Sequence, residues 1–178
     1  DLWLPFTEEL GRFSAADYER LKPLVLDQSV ADIQLSVAQG LLSYEALTTF
    51  YIYRIRRIES NDELFINGVI SLNPQAISRA RSLDLLREQG AELAQGSLFG
   101  IPVLLKDNIG FAGLPTTAGA IALAANNTGD AFVTTQLKQS GAVILGKANL
   151  SEWAYFFCRQ CPSGYSALGG QTLNPYGR

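Results

Sequence analysis

Ile101-Pro-Val-Leu-Leu-Lys-Asp-Asn108 and Ala142-Val-Ile-Leu145 are the stretches on which the fold turns. Each holds a short, continuous apolar run, the pattern of a strand buried on both faces. Between them, Asp130 can cap a helix that runs through Leu137 and stops at Gly141. Strand, helix, strand with apolar strands predicts an α/β class with a mostly parallel sheet. A loop rich in Gly, Pro and Thr occupies 110–119. Asn149 or Ser151 opens a further short helix, and 163–178 reads as loop.

Working outward, the first half reads as helices. Ser29 can cap one that stops at Gly40, and Ser43 can cap the next. In the latter, Leu47, Phe50, Tyr51, Ile55 and Ile58 keep the 3-4 spacing of one buried stripe, while Arg54, Arg56 and Arg57 read as a solvated face. Residues 65–72 are apolar and β-branched enough for a strand. Asn73-Pro74 supplies a cap and first-turn proline for a helix carrying Ala76, Ile77, Ala80 and Leu83 and ending near Gly90. The expected organisation is an amino-terminal helical region, 1–95, followed by the first strands of an α/β core, 96–178.

The 178 residues are 47% hydrophobic and 17% charged, which excludes a disordered, collagenous or coiled-coil chain. Fourteen Lys and Arg against seventeen Asp and Glu give a net charge of −3. With no dense basic run, no nucleic-acid partner is expected. No apolar stretch reaches the roughly 20 residues of a membrane span. The chain has no His, which removes Ser-His-Asp, Cys-His and His-ligated metal chemistry. It has no Met and begins at Asp1, so it is expected to be a processed, engineered or split piece of a longer polypeptide. Cys158 and Cys161 form a C-x-x-C spacing without further Cys or His to complete a zinc site. Two ordinary thiols or a local disulfide is the expectation there, and the sequence does not reveal a compartment.

Gly141 to Lys147 fits G-x-x-x-x-G-K, but Ala148 follows where a magnesium-binding hydroxyl belongs, and the central residues are the most strand-like in the chain. Nucleotide binding is not expected from it. Lys106 is the better candidate. A lysine at the end of an apolar strand, where parallel sheets place their crevice, is poorly hydrated, and desolvation favours the neutral amine that can accept a proton. The alternative is a surface lysine paired with Asp107. Asn126-Asn-Thr128 and Asn149-Leu-Ser151 match glycosylation sequons, the second in a block expected to be buried.

Gly96-Ser-Leu-Phe-Gly-Ile-Pro-Val-Leu-Leu-Lys-Asp-Asn-Ile109 resembles the lysine segment of the amidase signature family. The resemblance continues through Pro115-Thr-Thr-Ala-Gly119, Gly141-Ala-Val-Ile-Leu-Gly-Lys-Ala-Asn-Leu-Ser-Glu152 and Ser166-Ala-Leu-Gly-Gly-Gln-Thr-Leu-Asn-Pro175. Asn67-Gly-Val-Ile70 and Asn73-Pro-Gln-Ala76 are similar to the family's amino-terminal region.

The resemblance implies an amide hydrolase working through a Ser–cis-Ser–Lys triad and an acyl-enzyme, with Lys106 as the catalytic base and no metal or organic cofactor. In the family the Gly-Gly-Ser-Ser segment begins a few residues beyond Gln-Thr-x-Asn-Pro, so both serines and the oxyanion loop are expected from the carboxy-terminal remainder of the protein. That remainder, as a second chain or absent sequence, is the expected partner, and the chain alone is expected to be inactive. Thr116, Trp153 and Ala154 are implied near the acyl portion of a small-molecule or peptide amide substrate, with plain core packing as the alternative. A non-catalytic binding or regulatory module that kept the amidase fold is the alternative function.

Overall fold

Serine-led turns start three of the described helices. The computed structural model describes residues 2–90, 97–157 and 160–177. A short helix α1 (Thr7–Arg12) precedes α2 (Ala15–Val25), where Ser14 and Asp17 form a reciprocal capping box. Ser29 and Asp32 repeat that box at the start of α3 (Val30–Ala38), and Gly40 follows at φ +73, as the cap and stop signals predict. At α4 (Tyr44–Glu59), Ser43 Oγ accepts the Ala46 N–H at 3.0 Å. The Asp84 carboxylate accepts the Tyr44 and Glu45 N–H groups, both at 2.9 Å, so the orphan donors of that first turn are satisfied.

Two boundaries and one buried face differ from the expectation. The strand expected over 65–72 shortens to β1 (Val69–Leu72), because the Asn67 and Gly68 N–H groups turn to the Glu59 carboxylate at 2.8 Å. The next helix, α5 (Ala76–Glu88), starts two residues beyond Pro74, after a turn at Pro74 and Gln75, and the Asn73 N–H is bonded to the Leu145 carbonyl at 2.9 Å. In the stripe on α4, Leu47 and Phe50 are fully buried, but Tyr51, Ile55 and Ile58 are half-buried and Tyr44, Thr48 and Ile52 complete the buried face. Arg56 and Arg57 are exposed, whereas Arg54 donates to the Tyr18 hydroxyl.

The two decisive runs are strands β2 (Pro102–Lys106) and β3 (Val143–Ala148), separated by α6 (Phe132–Gln139). The sheet order is β1-β3-β2. Hydrogen bonds from Gly100 to Gly141, from Val143 to Ile101 and from Asp107 to Ala148 rise together along both chains, so β2 and β3 run parallel. β1 runs antiparallel to β3, with Ser71 opposite Lys147 and Leu72 opposite Gly146, making the small sheet mixed. The central strand β3 is buried almost throughout, while β1 and β2 are half-buried. Burial on both faces, expected of both apolar runs, holds for the central strand β3 and not for β2, which lies at the sheet edge. The 163–178 tail, expected as loop, holds a two-stranded antiparallel hairpin, β4 (Tyr165–Ser166) and β5 (Gly170–Gln171). Asp130 accepts the Ala112 N–H at 2.9 Å.

The expected division between residues 95 and 96 lies outside the described residues, as does Cys158 of the C-x-x-C pair. By contacts the chain divides into two units of interleaved segments. One comprises Asp1–Arg54, Pro74–Val103 and Leu137–Ile144. Its core is apolar, including Phe6, Leu21, Val37, Leu47 and Leu83, with Tyr18 stacked on Phe50 at 4.7 Å. The other comprises Ile55–Asn73, Leu104–Gln136 and Leu145–Arg178. In it Gly146 lets β1 approach closely, since a Cβ there would lie 2.2 Å from the Ser71 carbonyl oxygen. No helix among the described residues is long and apolar enough to cross a membrane.

Candidate active site

The site residues lie in the second unit, where β2 ends. Side chains alternate along a strand, so Leu105 and Asp107 are buried and Lys106 between them is exposed. The poorly hydrated amine expected at Lys106 is therefore not found in this chain: alternation turns it to a face that the described residues leave open. Its main chain is nonetheless fixed. The Lys106 carbonyl accepts the Ile109 N–H at 2.9 Å, and the next peptide is held by the Asp107 N–H to Ala148 bond at 3.1 Å.

Asp107 does not pair with Lys106. Its carboxylate receives the ammonium of Lys147 at 3.3 Å, with side-chain exposures of 1% and 0%. The Lys147 Nζ also donates to the Ile109 carbonyl at 2.7 Å and to Thr116 Oγ1 at 3.2 Å. The Thr117 hydroxyl makes a short hydrogen bond to the second oxygen of Asp107, whose own carbonyl accepts the Ala118 N–H at 2.9 Å. Burial pushes the Lys147 amine below its ordinary range, and the Asp107 carboxylate acts in the opposite direction. Gly146-Lys147 therefore ends no phosphate loop: the lysine sits within a strand and is spent on an internal ion pair.

Thr116 is buried, its hydroxyl shared between Lys147 and Thr128 Oγ1. Trp153 joins the same neighbourhood through its N–H, which donates to the Ala118 carbonyl at 3.1 Å. Trp153 is 42% exposed, its ring edge-on to Phe157 at 5.8 Å. The helical turn expected after Ser151 is instead a 3-10 segment, Glu152–Tyr155, in which Trp153, Ala154 and Tyr155 have φ of 48°, 51° and 66°. Ala154 is exposed. A pocket of about 260 Å³ opens beside the ion pair, walled by Ile70, Ser71, Asp107, Pro115, Thr117 and Leu168.

A second polar cluster fixes the β4–β5 hairpin. Asn149 accepts from Ser166 Oγ at 3.0 Å and donates to the Asn67 and Gly169 carbonyls, both at 3.1 Å. Asn67 donates to the Gly169 carbonyl at 2.5 Å. The amide nitrogen of Asn149 is thus occupied within the fold. Asn126 is half-buried and donates to the Thr116 carbonyl at 2.8 Å.

Sequence reasoning missed Lys147, Asp107 and Thr117 as one cluster. A usable signal was present: a lysine closing an otherwise apolar central strand needs a counter-charge, and the acidic residue after β2 is placed to give it.

An amine at the carboxyl end of a parallel strand, in a chain without histidine, marks an α/β protein whose candidate base is a lysine. Known proteins narrow that class. The Amidase family model matches residues 47–178. The chain belongs to the amidase family. An Arabidopsis thaliana protein named as a probable amidase is 38% identical over 154 residues, 85% of this chain and 29% of that protein. A crystal structure of an amidase family protein from Bacillus anthracis superposes with a TM-score of 0.89 at 38% identity, covering 99% of this chain and 34% of the other. The peptide amidase of Stenotrophomonas maltophilia gives 0.80 at 42% identity, covering 85% and 30%. The chain thus spans about a third or less of the length of these relatives.

Proposed function

We propose that this chain contributes Lys106 as the base of a Ser–cis-Ser–Lys amide hydrolase, the two serines and the oxyanion donors coming from the remainder of the protein. In this reading the neutral Lys106 amine takes a proton from the cis serine, which takes one from the nucleophilic serine as its oxygen attacks the amide carbonyl. The tetrahedral intermediate expels ammonia or an amine, which leaves with the relayed proton. Water then cleaves the acyl-enzyme to the acid.

The observation that carries the reading is the position of Lys106, its main chain fixed at the end of β2 in a chain that belongs to the amidase family; its exposed side chain departs from the expected desolvation. An amine so placed is free to meet hydroxyls supplied by a further segment, and burial by that segment is what would bring it to the neutral form. Thr116, Trp153 and Ala154 flank the acyl portion in this reading, through the 115–119 loop and the Trp153 contact with it. A peptide or small-molecule amide is the substrate class, and the 42% identity with a peptide amidase makes peptide C-terminal amides the first to test.

The test is Lys106→Ala in the assembled amidase, meaning this chain together with the serine-bearing remainder. A loss of turnover of about 1,000-fold or more is expected, and purified residues 1–178 alone should not hydrolyse amides. Near-normal rates for the variant remove Lys106 from the triad. The exposure of Lys106 also suits a non-catalytic module that kept the fold; amide-analogue binding without turnover in the assembled protein would favour that second reading.

A further inference from the structure

We infer that Lys147 and Asp107 are positioning residues, a buried ion pair that holds the Lys106 turn and the 107–118 loop in the geometry the Lys106 amine needs. The inference rests on the reading of Lys106 as the base and adds the device that aims it.

Three observations support it. Lys147 lies near the end of β3, the central strand, and its side chain is fully buried. Its three hydrogen bonds go to Asp107, Ile109 and Thr116, the first two just after Lys106 and the third at the far end of the loop. One ammonium thus ties both ends of the loop to one strand. The Asp107 carboxylate extends the tie through Thr117, and its backbone completes it with bonds to Ala148 and Ala118.

The Ile109 N–H in turn holds the Lys106 carbonyl, so any shift of Ile109 or Asp107 passes directly to Lys106. Stability alone does not call for such a pair, because a well-packed apolar pair often serves as well or better in a buried site. Geometry gives it a use: three directional bonds fix a turn, whereas apolar contacts let it slide. A displacement of about 1 Å at a reacting group can cost on the order of 100-fold in rate.

The test is a cycle in the assembled amidase with a peptide amide as probe. Its arms are Lys106→Ala, the charge-free pair Lys147→Met with Asp107→Asn, and all three together. Removing both charges leaves no ion buried alone. Expected results are a fall in kcat of about 10- to 100-fold for the pair variant with KM within about twofold, and no further loss when the pair is added to Lys106→Ala. Losses that multiply overturn the inference, as does a lowered melting temperature with kcat per folded molecule unchanged. If Lys106→Ala alone keeps its rate, the reading of Lys106 itself fails, and the inference with it. Should the pair variant not fold, Thr117→Val removes one hydroxyl from the Asp107 carboxylate and leaves the ammonium in place. The same cycle then reads a change of about 3- to 10-fold, and multiplication of losses again overturns the proposal.

Discussion

The two units of the chain are held together by different means. Of the buried polar and charged residues described, the first unit holds Thr48 and Thr49, and the second holds Asn73, Asp107, Thr116, Thr117, Thr134, Lys147 and Ser166. The first is a helical packing of apolar side chains whose buried polar residues, Thr48 and Thr49, lie within α4. The second is a set of turns and strand ends whose interior is wired by directional bonds. Apolar packing tolerates substitutions that preserve volume, while a buried polar network is costly when any one member is lost. The residues proposed for chemistry lie in the wired unit, where position matters most.

The contrast can be broken or sharpened by four substitutions, each read in the assembled protein. The largest effect is expected from Lys147→Met alone, which leaves the Asp107 carboxyl buried without its partner. A loss of about 3–5 kcal/mol in protection of the second unit, read by native-state hydrogen exchange, is expected, and adding Asp107→Asn should restore much of it. Leu47→Ala, in the apolar unit, should cost about 2–5 kcal/mol with no such rescue by a second change. Equal behaviour of the two sites would erase the distinction. Gly146→Ala places a Cβ against the Ser71 carbonyl and should cost about 1–3 kcal/mol, with exchange increased at β1 first.

The smallest effect is at the α2 cap. Hydrogen bonds from Ser14 hold the Asp17 carboxyl down at about 2. A carboxyl depressed in the folded state contributes fully above its unfolded value of about 3.9 and loses that contribution as pH falls through the folded one. Wild type and Asp17→Ala should therefore differ in α2 exchange above about pH 4 and converge near pH 2. A difference that persists unchanged at pH 2 would assign the effect to the side chain's packing instead.

Local signals made much of this legible. Ser29 and Ser43 marked helix starts because capping acts within three residues, and Gly40 and Gly141 marked stops because φ beyond +70° suits glycine. The runs in β2 and β3 announced a parallel pair, but only β3 is buried as the runs implied; β2 lies at the sheet edge and is half-buried. What stayed hidden depends on partners distant in the chain. The reversed sense of β1 needs residues near 70 to meet residues near 147, and Lys147 finds Asp107 across 40 positions. At the candidate site the position of Lys106 was readable from its strand, but its exposure was not, since that depends on what covers the sheet.

Trp153, Ala154 and Tyr155 carry a consequence of another kind. For three successive residues the chain winds in the mirror-image sense of the helices around it, which costs L-amino acids roughly 1–2 kcal/mol apiece. The usual rule for glycine is therefore inverted there. At Ala154, whose methyl group is exposed, replacement by glycine should firm the protein up where elsewhere it would loosen it, and a D-alanine introduced by semisynthesis should do so more strongly.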